Sequence, residues 1–409
     1  MQPQPILFIH HANDMYGADI GLLHSIKSLD TEKYYPIVIL PSDMPTGMLS
    51  PELDRLGVEY HFARLGILRR KYLTARGILP LIVDLMSGVA HVRSIARSRR
   101  VALVYCNTFV AISGAIGGRL ASVPVLWHIR EIVSMPRPVR WLLYKMLSLC
   151  ADRIVCISRA ALDSVLKEAP NLATKSVVVY NAVSVAASNG TEQQIGLREE
   201  LGVPQAALLV GMVGRITHWK GQEILAEAAA LVLRSHPDVH FVAVGSYFAD
   251  EAHYLQKLTS LISDLGLDDR FHLADYRSNI TDVYRALDIF VLPSIKPEPF
   301  GRVTVEAMMQ ERAVIATNHG GTVELIEDGV TGMLVPPSDP KSLAAAIDLL
   351  LEDRPLREKM GQAAASYAKE NFGLAGYGDQ MARIITELAT LKRPPTEGIS
   401  RTTAPFDAA

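Results

Sequence analysis

The 409 residues, 49% apolar and 21% charged, exceed what one hydrophobic core usually supports and exclude a disordered chain, so two domains of roughly 150 to 200 residues are expected. Net charge is only −2, yet residues 60 to 150 hold fourteen Lys and Arg against Asp84 and Glu131, a local +12 that leaves −14 elsewhere. That asymmetry points to an anionic surface or ligand facing the first half, and no nucleic-acid partner is expected.

From the N-terminus, Met1 to Pro5 lacks a basic region and Ile6 to Ile9 is too short for a signal-peptide core. Apolar β-rich runs then alternate with helical-period segments, at Ile6–His10, Ile37–Pro41, Val101–Cys106, Val123–His128, Arg153–Ile157 and Val177–Tyr180. This rhythm predicts a parallel, doubly wound sheet. The longest apolar stretch, Ile78 to Val92, is interrupted by Asp84 and His91 and reads as short of a spanning helix. Cys106, Cys150 and Cys156 lie in apolar runs without CxxC or Cys/His ligand spacing, so a reducing compartment and no structural zinc are expected. Together these features predict a cytoplasmic, non-integral protein.

Residues 1–183 read as the first Rossmann-like domain and 184–204, rich in Ser, Asn, Gly, Gln and Pro, as a linker. The strand rhythm resumes at Leu208–Val213, Val239–Val244, Phe271–Leu273, Ile289–Leu292 and Val314–Thr317, predicting a second such domain over 205–372. Ala344 to Phe372 is strongly helical, a further helix over 373–391 is expected to pack back on the first domain, and 392–409 reads as a disordered tail.

In open α/β sheets ligands sit beyond the carboxyl ends of strands. The first such loop, His10-His11-Ala12-Asn13-Asp14-Met15-Tyr16-Gly17-Ala18-Asp19, leads into a helix expected near Ile20, where Gly17 allows close backbone approach and free amides can meet an anion or a sugar hydroxyl. It is neither GxGxxG nor a Walker loop. In the second half, Gly214-Arg215 ends a strand and Lys220-Gly221 opens the next helix, so two cations can reach a diphosphate. After Ile289–Leu292 comes Pro297-Glu298-Pro299-Phe300-Gly301-Arg302-Val303-Thr304-Val305-Glu306. Pro299 and Gly301 put Glu298 in a loop and Glu306 on the following helix, so the two carboxylates can accept from different hydroxylated parts of one ligand. The amides of Arg302 to Thr304 are then available to phosphate. The pattern is that of a nucleotide-sugar pocket.

These residues resemble the family-four retaining glycosyltransferases of GT-B fold. Glu298-x7-Glu306 looks like their E-x7-E signature, Gly214-Arg215 with Lys220-Gly221 like their diphosphate clamp, and Gly320-Gly321-x-x-Glu324 with Gly329-x-x-Gly332 like the segments that follow. The resemblance is dense over 207–340 and looser before it, through Ala151–Ser158 and Tyr180-Asn181-Ala182-Val183. It implies an α/β GT-B architecture, two doubly wound domains facing across a cleft. It also implies Glu306 on the ribose, Glu298 on the transferred sugar, Arg215 and Lys220 on the leaving diphosphate, and backbone around Asp275-Tyr276 on the base. Gly17, Phe300, Gly301, Arg302, Val303 and Thr304 complete the donor side, and His128 would contact the sugar near the reacting carbon. Candidates for the acceptor side are His11, Asn13, Tyr16, Asp19, Arg130 and Glu131; where relatives often carry an acid after the histidine, this chain has Ile129-Arg130-Glu131.

The implied reaction transfers a sugar with retention from a nucleotide-diphosphate sugar to a saccharide or lipid-linked saccharide, in bacterial surface polysaccharide or lipopolysaccharide assembly. The chain contains no Asp-x-Asp triplet, so no metal and no other cofactor are expected. A GT-B epimerase or a noncatalytic nucleotide-sugar-binding protein is the alternative, disfavoured by the combined Arg215, Lys220, Glu298 and Glu306. Finally, Arg64, Arg69, Arg70, Lys71 and Arg76, then Arg93, Arg97, Arg99 and Arg100, interleave with Leu65, Ile67, Leu68, Tyr72 and Leu73. Residues 64–100 are therefore expected to contact an anionic membrane, placing the protein on the inner face of the plasma membrane.

Overall fold

A computed structural model describes residues 2–69, 72, 77–184, 196–247, 251–277 and 279–391. Arg70, Lys71, Leu73, Arg76, most of the expected linker and the expected tail lie outside them. The chain forms two compact units. The first holds residues up to Val155, Val165–Val177 and the chain from Gly378; the second holds Cys156–Ser164 and Val178–Tyr377. The division thus passes through the sequence interval assigned to one domain.

The first unit runs β1 (Gln4–Ile9), α1 (Gly17–Lys27), β2 (Tyr34–Pro41), α2 (Leu49–Arg55), β3 (Glu59–Ala63), α3 (Ile78–Ser98), β4 (Leu103–Asn107), α4 (Ile112–Leu120), β5 (Val125–Ile129), α5 (Arg137–Cys150), β6 (Arg153–Cys156), the later part of α6 (Arg159–Glu168), whose residues up to Ser164 belong to the second unit, and β7 (Ser176–Val178). Its seven strands lie in the order β3-β2-β1-β4-β5-β6-β7, with parallel pairing from β3 through β5. Ile6, Leu7, Phe8 and Ile9 are wholly buried, as strands covered on both faces must be. The chain winds one way from β1 to β3 and the other way from β4 to β6. Right-handed crossovers therefore put α1 and α2 on one face and α3, α4 and α5 on the other. α4 packs against both α3 and α5.

α3 departs from the sequence expectation. The apolar run continues through Ser98 as one helix of 21 residues, long and apolar enough by length and composition to cross a membrane; an 18-residue stretch of it has a mean hydropathy of 1.5, and only 11% of that stretch is buried. Asp84 and His91 do not interrupt it, because a single polar residue per few turns leaves the i, i+4 bonds intact. Leu65 and Ile67, read from sequence as part of a docking surface, are buried. Arg69 reaches His11 O at 3.1 Å, and Arg99 binds Glu59 with two 2.8 Å bonds.

The second unit runs α7 (Leu197–Glu200), β8 (Leu209–Val213), α8 (Gln222–Val232), β9 (His240–Val244), α9 (Ala252–Asp264), β10 (Phe271–Ala274), α10 (Ile280–Ala286), β11 (Ile289–Leu292), α11 (Arg302–Met309), β12 (Ala313–Thr317), β13 (Met333–Val335), α12 (Pro340–Glu352) and α13 (Arg354–Phe372). Its all-parallel sheet has the order β10-β9-β8-β11-β12-β13, with the winding reversed between β8 and β11. Val210, Met212, Phe241, Val291 and Ile315 form its centre with Leu225, Ala229, Ile347 and Leu350 from the helices. The strongly helical segment from Ala344 to Phe372 comprises two helices parted at Asp353, whose carboxylate accepts from Leu356 N at 2.8 Å. α14 (Leu374–Ala389) follows; within the first unit its Glu387 pairs with Arg153 at 2.8 Å.

Candidate functional site

In the second unit the reversal between β8 and β11 opens the crevice where ligands of doubly wound sheets sit, and the sequence-predicted residues border it. β8 ends in Gly214 and Arg215, and the chain enters α8 through Gly221. Gly221 has φ +82, and a Cβ there would lie 1.9 Å from Pro293 O, so only glycine lets the two strand-end loops approach. Lys220, just before it, donates to Glu298 Oε1 at 2.7 Å, and Ser294 Oγ donates to the same oxygen at 2.6 Å. Lys220 and Glu298 are thus one enclosed ion pair, their side chains 14% and 5% exposed.

The loop that carries Glu298 is fixed from behind. Phe300 is buried among Tyr180 and Phe372, with ring centroids 6.4 and 5.7 Å away, and Pro299 O accepts from Ser158 Oγ at 2.5 Å. Gly301 caps α11 at φ +94. Beyond it, Arg302 and Val303 are half-buried, and their amides precede the first intrahelical bond. Thr304 is wholly buried, and its hydroxyl has no partner among the described residues. Thr217 Oγ1, in the loop after β8, is likewise buried and unpartnered.

Glu306 does not stand open to solvent as its place in the first turns of a helix suggests. It is 8% exposed, accepting from Arg302 Nε at 2.7 Å on one oxygen and from Tyr284 Oη at 2.7 Å on the other. Burial and the Glu306 carboxylate hold the Tyr284 hydroxyl protonated, well above its usual range. Each Glu306 oxygen keeps a lone pair for a further donor. Asp275 and Tyr276, after β10, are exposed. Glu324 accepts from Arg159 N and Ala160 N, at 2.7 and 2.8 Å, and so caps α6.

The first unit holds a buried polar network at the ends of β1, β4 and β5. Asn107 Oδ1 accepts from Arg130 Nε at 2.6 Å, which fixes its amide; its Nδ2 therefore donates to Ala18 O at 3.0 Å and to His10 Nδ1 at 2.9 Å. His10 must then donate from Nε2, and it does so to Asp19 Oδ1 at 2.8 Å. Asp19 also accepts from Tyr16 N at 2.9 Å. Burial opposes its charge, but the bond from His10 prevails and its carboxyl lies below the usual range.

His128 is wholly buried beside this network. Its Nδ1 faces Arg130 Nη2 at 3.2 Å and Tyr105 Oη. A guanidinium can only donate, so Nδ1 is the acceptor and Nε2 carries the hydrogen. That Nε2 is buried without a partner among the described residues. Burial, then Arg130, pushes the imidazole pKa well below its usual value. His128 is consequently a neutral N–H donor, unsuited to accept a proton.

Of the other sequence-predicted residues, Asn13 is a scaffold pin, accepting from Ser50 N at 2.8 Å and donating to Met44 O at 3.2 Å. His11 is lowered to about 3, chiefly by burial and then by His10. Glu131 accepts from Phe109 N and Arg130 N, at 2.7 and 2.9 Å, and burial raises it to about 7 against those bonds. Tyr16 and Gly17 are exposed, and nothing lies within 4 Å of where a Gly17 Cβ would be. Sequence reasoning missed Asn107, Tyr105, Ser294 and Tyr284; Asn107 ends a strand, and the strand-end rule alone marks it. Among the described residues no cluster of three His, Cys, Asp or Glu side chains is placed to hold a metal ion.

Comparison with known proteins bears on the same segments. Residues 194–367 match the family model "Glycosyl transferases group 1". Alpha-D-kanosaminyltransferase of Streptomyces kanamyceticus is 36% identical over 194 residues, 47% of this chain and 48% of that protein. D-inositol 3-phosphate glycosyltransferase of Corynebacterium efficiens is 34% identical over 196 residues, 47% of this chain and 46% of that one. The chain thus spans about half the length of these curated relatives. The crystal structure of Anabaena Alr3699/HepE in complex with UDP and glucose is 27% identical, covers 94% of this chain and 100% of its own, and superposes with a TM-score of 0.79. The chain therefore has the GT-B fold of two Rossmann-like parallel-sheet domains, and its second domain is similar in sequence to the group 1 glycosyl transferases.

Proposed function

We propose that the protein is a retaining, metal-independent glycosyltransferase of the E-x7-E type, acting on a nucleotide-diphosphate sugar and a saccharide or lipid-linked saccharide acceptor in bacterial surface polysaccharide assembly. What supports this reading is the Lys220–Glu298 pair at the strand-end crevice, with Arg215 following β8 and the α11 helix supplying an N-terminus, an unpartnered Thr304 hydroxyl and Glu306. The UDP and glucose of the Anabaena structure favour a uridine donor. Ribose hydroxyls would donate to the remaining lone pairs of Glu306. The diphosphate would draw Lys220 partly away from Glu298, leaving that carboxylate to accept from the sugar ring, and Arg215 and the α11 amides would bear the growing negative charge.

In the reaction the bond from the anomeric carbon to the diphosphate oxygen breaks, and a bond to the acceptor oxygen forms on the same face. The acceptor proton passes to the departing diphosphate, so no protein base is required. Nucleotide release from a panel of nucleotide sugars, with and without lipid or oligosaccharide acceptors and in EDTA, tests this. Acceptor-dependent release that persists in EDTA is expected. Release that requires added magnesium, or a sugar isomerised without transfer, would overturn the reading.

A further inference from the structure

The three helices on one face of the first unit's sheet carry a surface that the transfer chemistry does not use. On α3, Ile78, Leu79, Ile82, Val83 and Met86 are 46 to 70% exposed. They recur every four residues and so form one stripe. The stripe continues into the exposed Arg93 and Arg97. On α5 the same spacing sets Trp141, Leu142 and Leu149, 67, 51 and 54% exposed, among Arg137 and Lys145. Across α3, α4 and α5 there are six cations and one acid, Asp84, and with Arg140 paired to Glu168 at 3.1 Å five cations remain for the face.

We infer that the outer face of the α3–α4–α5 layer is a docking surface for an anionic lipid bilayer. Apolar side chains set among cations fit the boundary where headgroup charge meets acyl chains. A second copy of the chain fits poorly, because a two-fold contact would bring five cations against five. The helix lies along the membrane instead of crossing it, because its second half is bound to the fold. Gly88, Val92 and Ala96 are buried, and a Cβ at Gly117 would stand 2.7 Å from Val92 Cβ, so the α3 and α4 backbones are in close contact. This surface replaces the Leu65 and Ile67 region expected from sequence, and its test is independent of the proposed transfer reaction.

Flotation of the full chain with vesicles of phosphatidylcholine, alone or mixed with phosphatidylglycerol, provides the test. Partition into the mixed vesicles only is expected, weakened by salt, with a blue shift of Trp141 emission that the W141F variant loses. The pairs L79S/M86S and R137S/K145S should each cut partition at least about tenfold while leaving the circular dichroism unchanged. Equal partition into both vesicle types, none into either, or unaltered partition by both pairs would overturn the inference. So would a dimer in vesicle-free solution that L79S/M86S dissolves, since a second copy would then cover the face.

Discussion

Lys220 and Glu298 show why a charge at a ligand site cannot be valued as though it stood alone. Each is drawn from a different strand end, they meet at 2.7 Å, and both are largely withdrawn from water. Removing one partner leaves the other enclosed and unpaired, which costs about 3 kcal/mol, whereas removing both costs less. Lys220→Ala should therefore lower stability by about that amount, and Glu298→Gln by less, because the amide can still accept from Ser294. The double variant should recover part of the loss, giving a coupling of at least about 1 kcal/mol in urea titrations. Additive losses would show that the pair does not act as a unit. Loss of donor turnover in Lys220→Ala must accordingly be read at a temperature where that variant remains folded.

Among the elements, α11 concentrates the donor-side features, and its entry depends on one residue. Gly301 sits at φ +94, and a Cβ there would lie 2.9 Å from Thr322 Cγ2. Gly301→Ala should cost about 1–2 kcal/mol of stability and weaken nucleotide binding through the displaced Arg302 and Val303 amides. Equal melting temperatures and equal nucleotide affinity would contradict the role given to this turn. Much of α11 was legible: Pro299 and Gly301 in the sequence already separate a loop carboxylate from a helical one. What could not be read was that Glu306 is buried, because its enclosure comes from Tyr284, 22 residues away on α10. α3 gives the converse case. Its apolar run was visible, but periodicity does not say which side is covered, and only the packing of Gly88 and Val92 on α4 separates the bound half from the bare one. The strand pattern came through well because strands buried on both faces, such as Ile6–Ile9, must be continuous apolar runs. The helical character of Ala344–Phe372 was legible, and its division at Asp353 follows the usual mark of a helix start, a capping Asp two positions before Pro355.

For the molecule as a whole, the same architecture is built twice, but the two sheets hold chemically different crevices. The first is closed around a network of His10, Asp19, Asn107, Arg130 and His128 that carries no free cation at a helix N-terminus, though His128 Nε2 and Thr108 Oγ1 stay buried and unpartnered among the described residues. The second leaves the Thr217 and Thr304 hydroxyls buried and unpartnered among the described residues, beside two cations and a helix N-terminus. Nucleotide binding should therefore register in the second unit. A ligand present at a hundred times its dissociation constant lowers the free energy of the bound state by about 2.7 kcal/mol, enough to slow amide exchange roughly a hundredfold wherever opening requires release. With UDP in EDTA, hydrogen exchange should slow over residues 214–222 and 294–306, while β1 to β5 remain as in the free protein. Lys220→Ala, measured below its melting point, should lose the effect in both segments together, because its ion pair joins them. Protection confined to the first unit, or protection that appears only after magnesium is added, would move the nucleotide to a different site or require a metal to hold it.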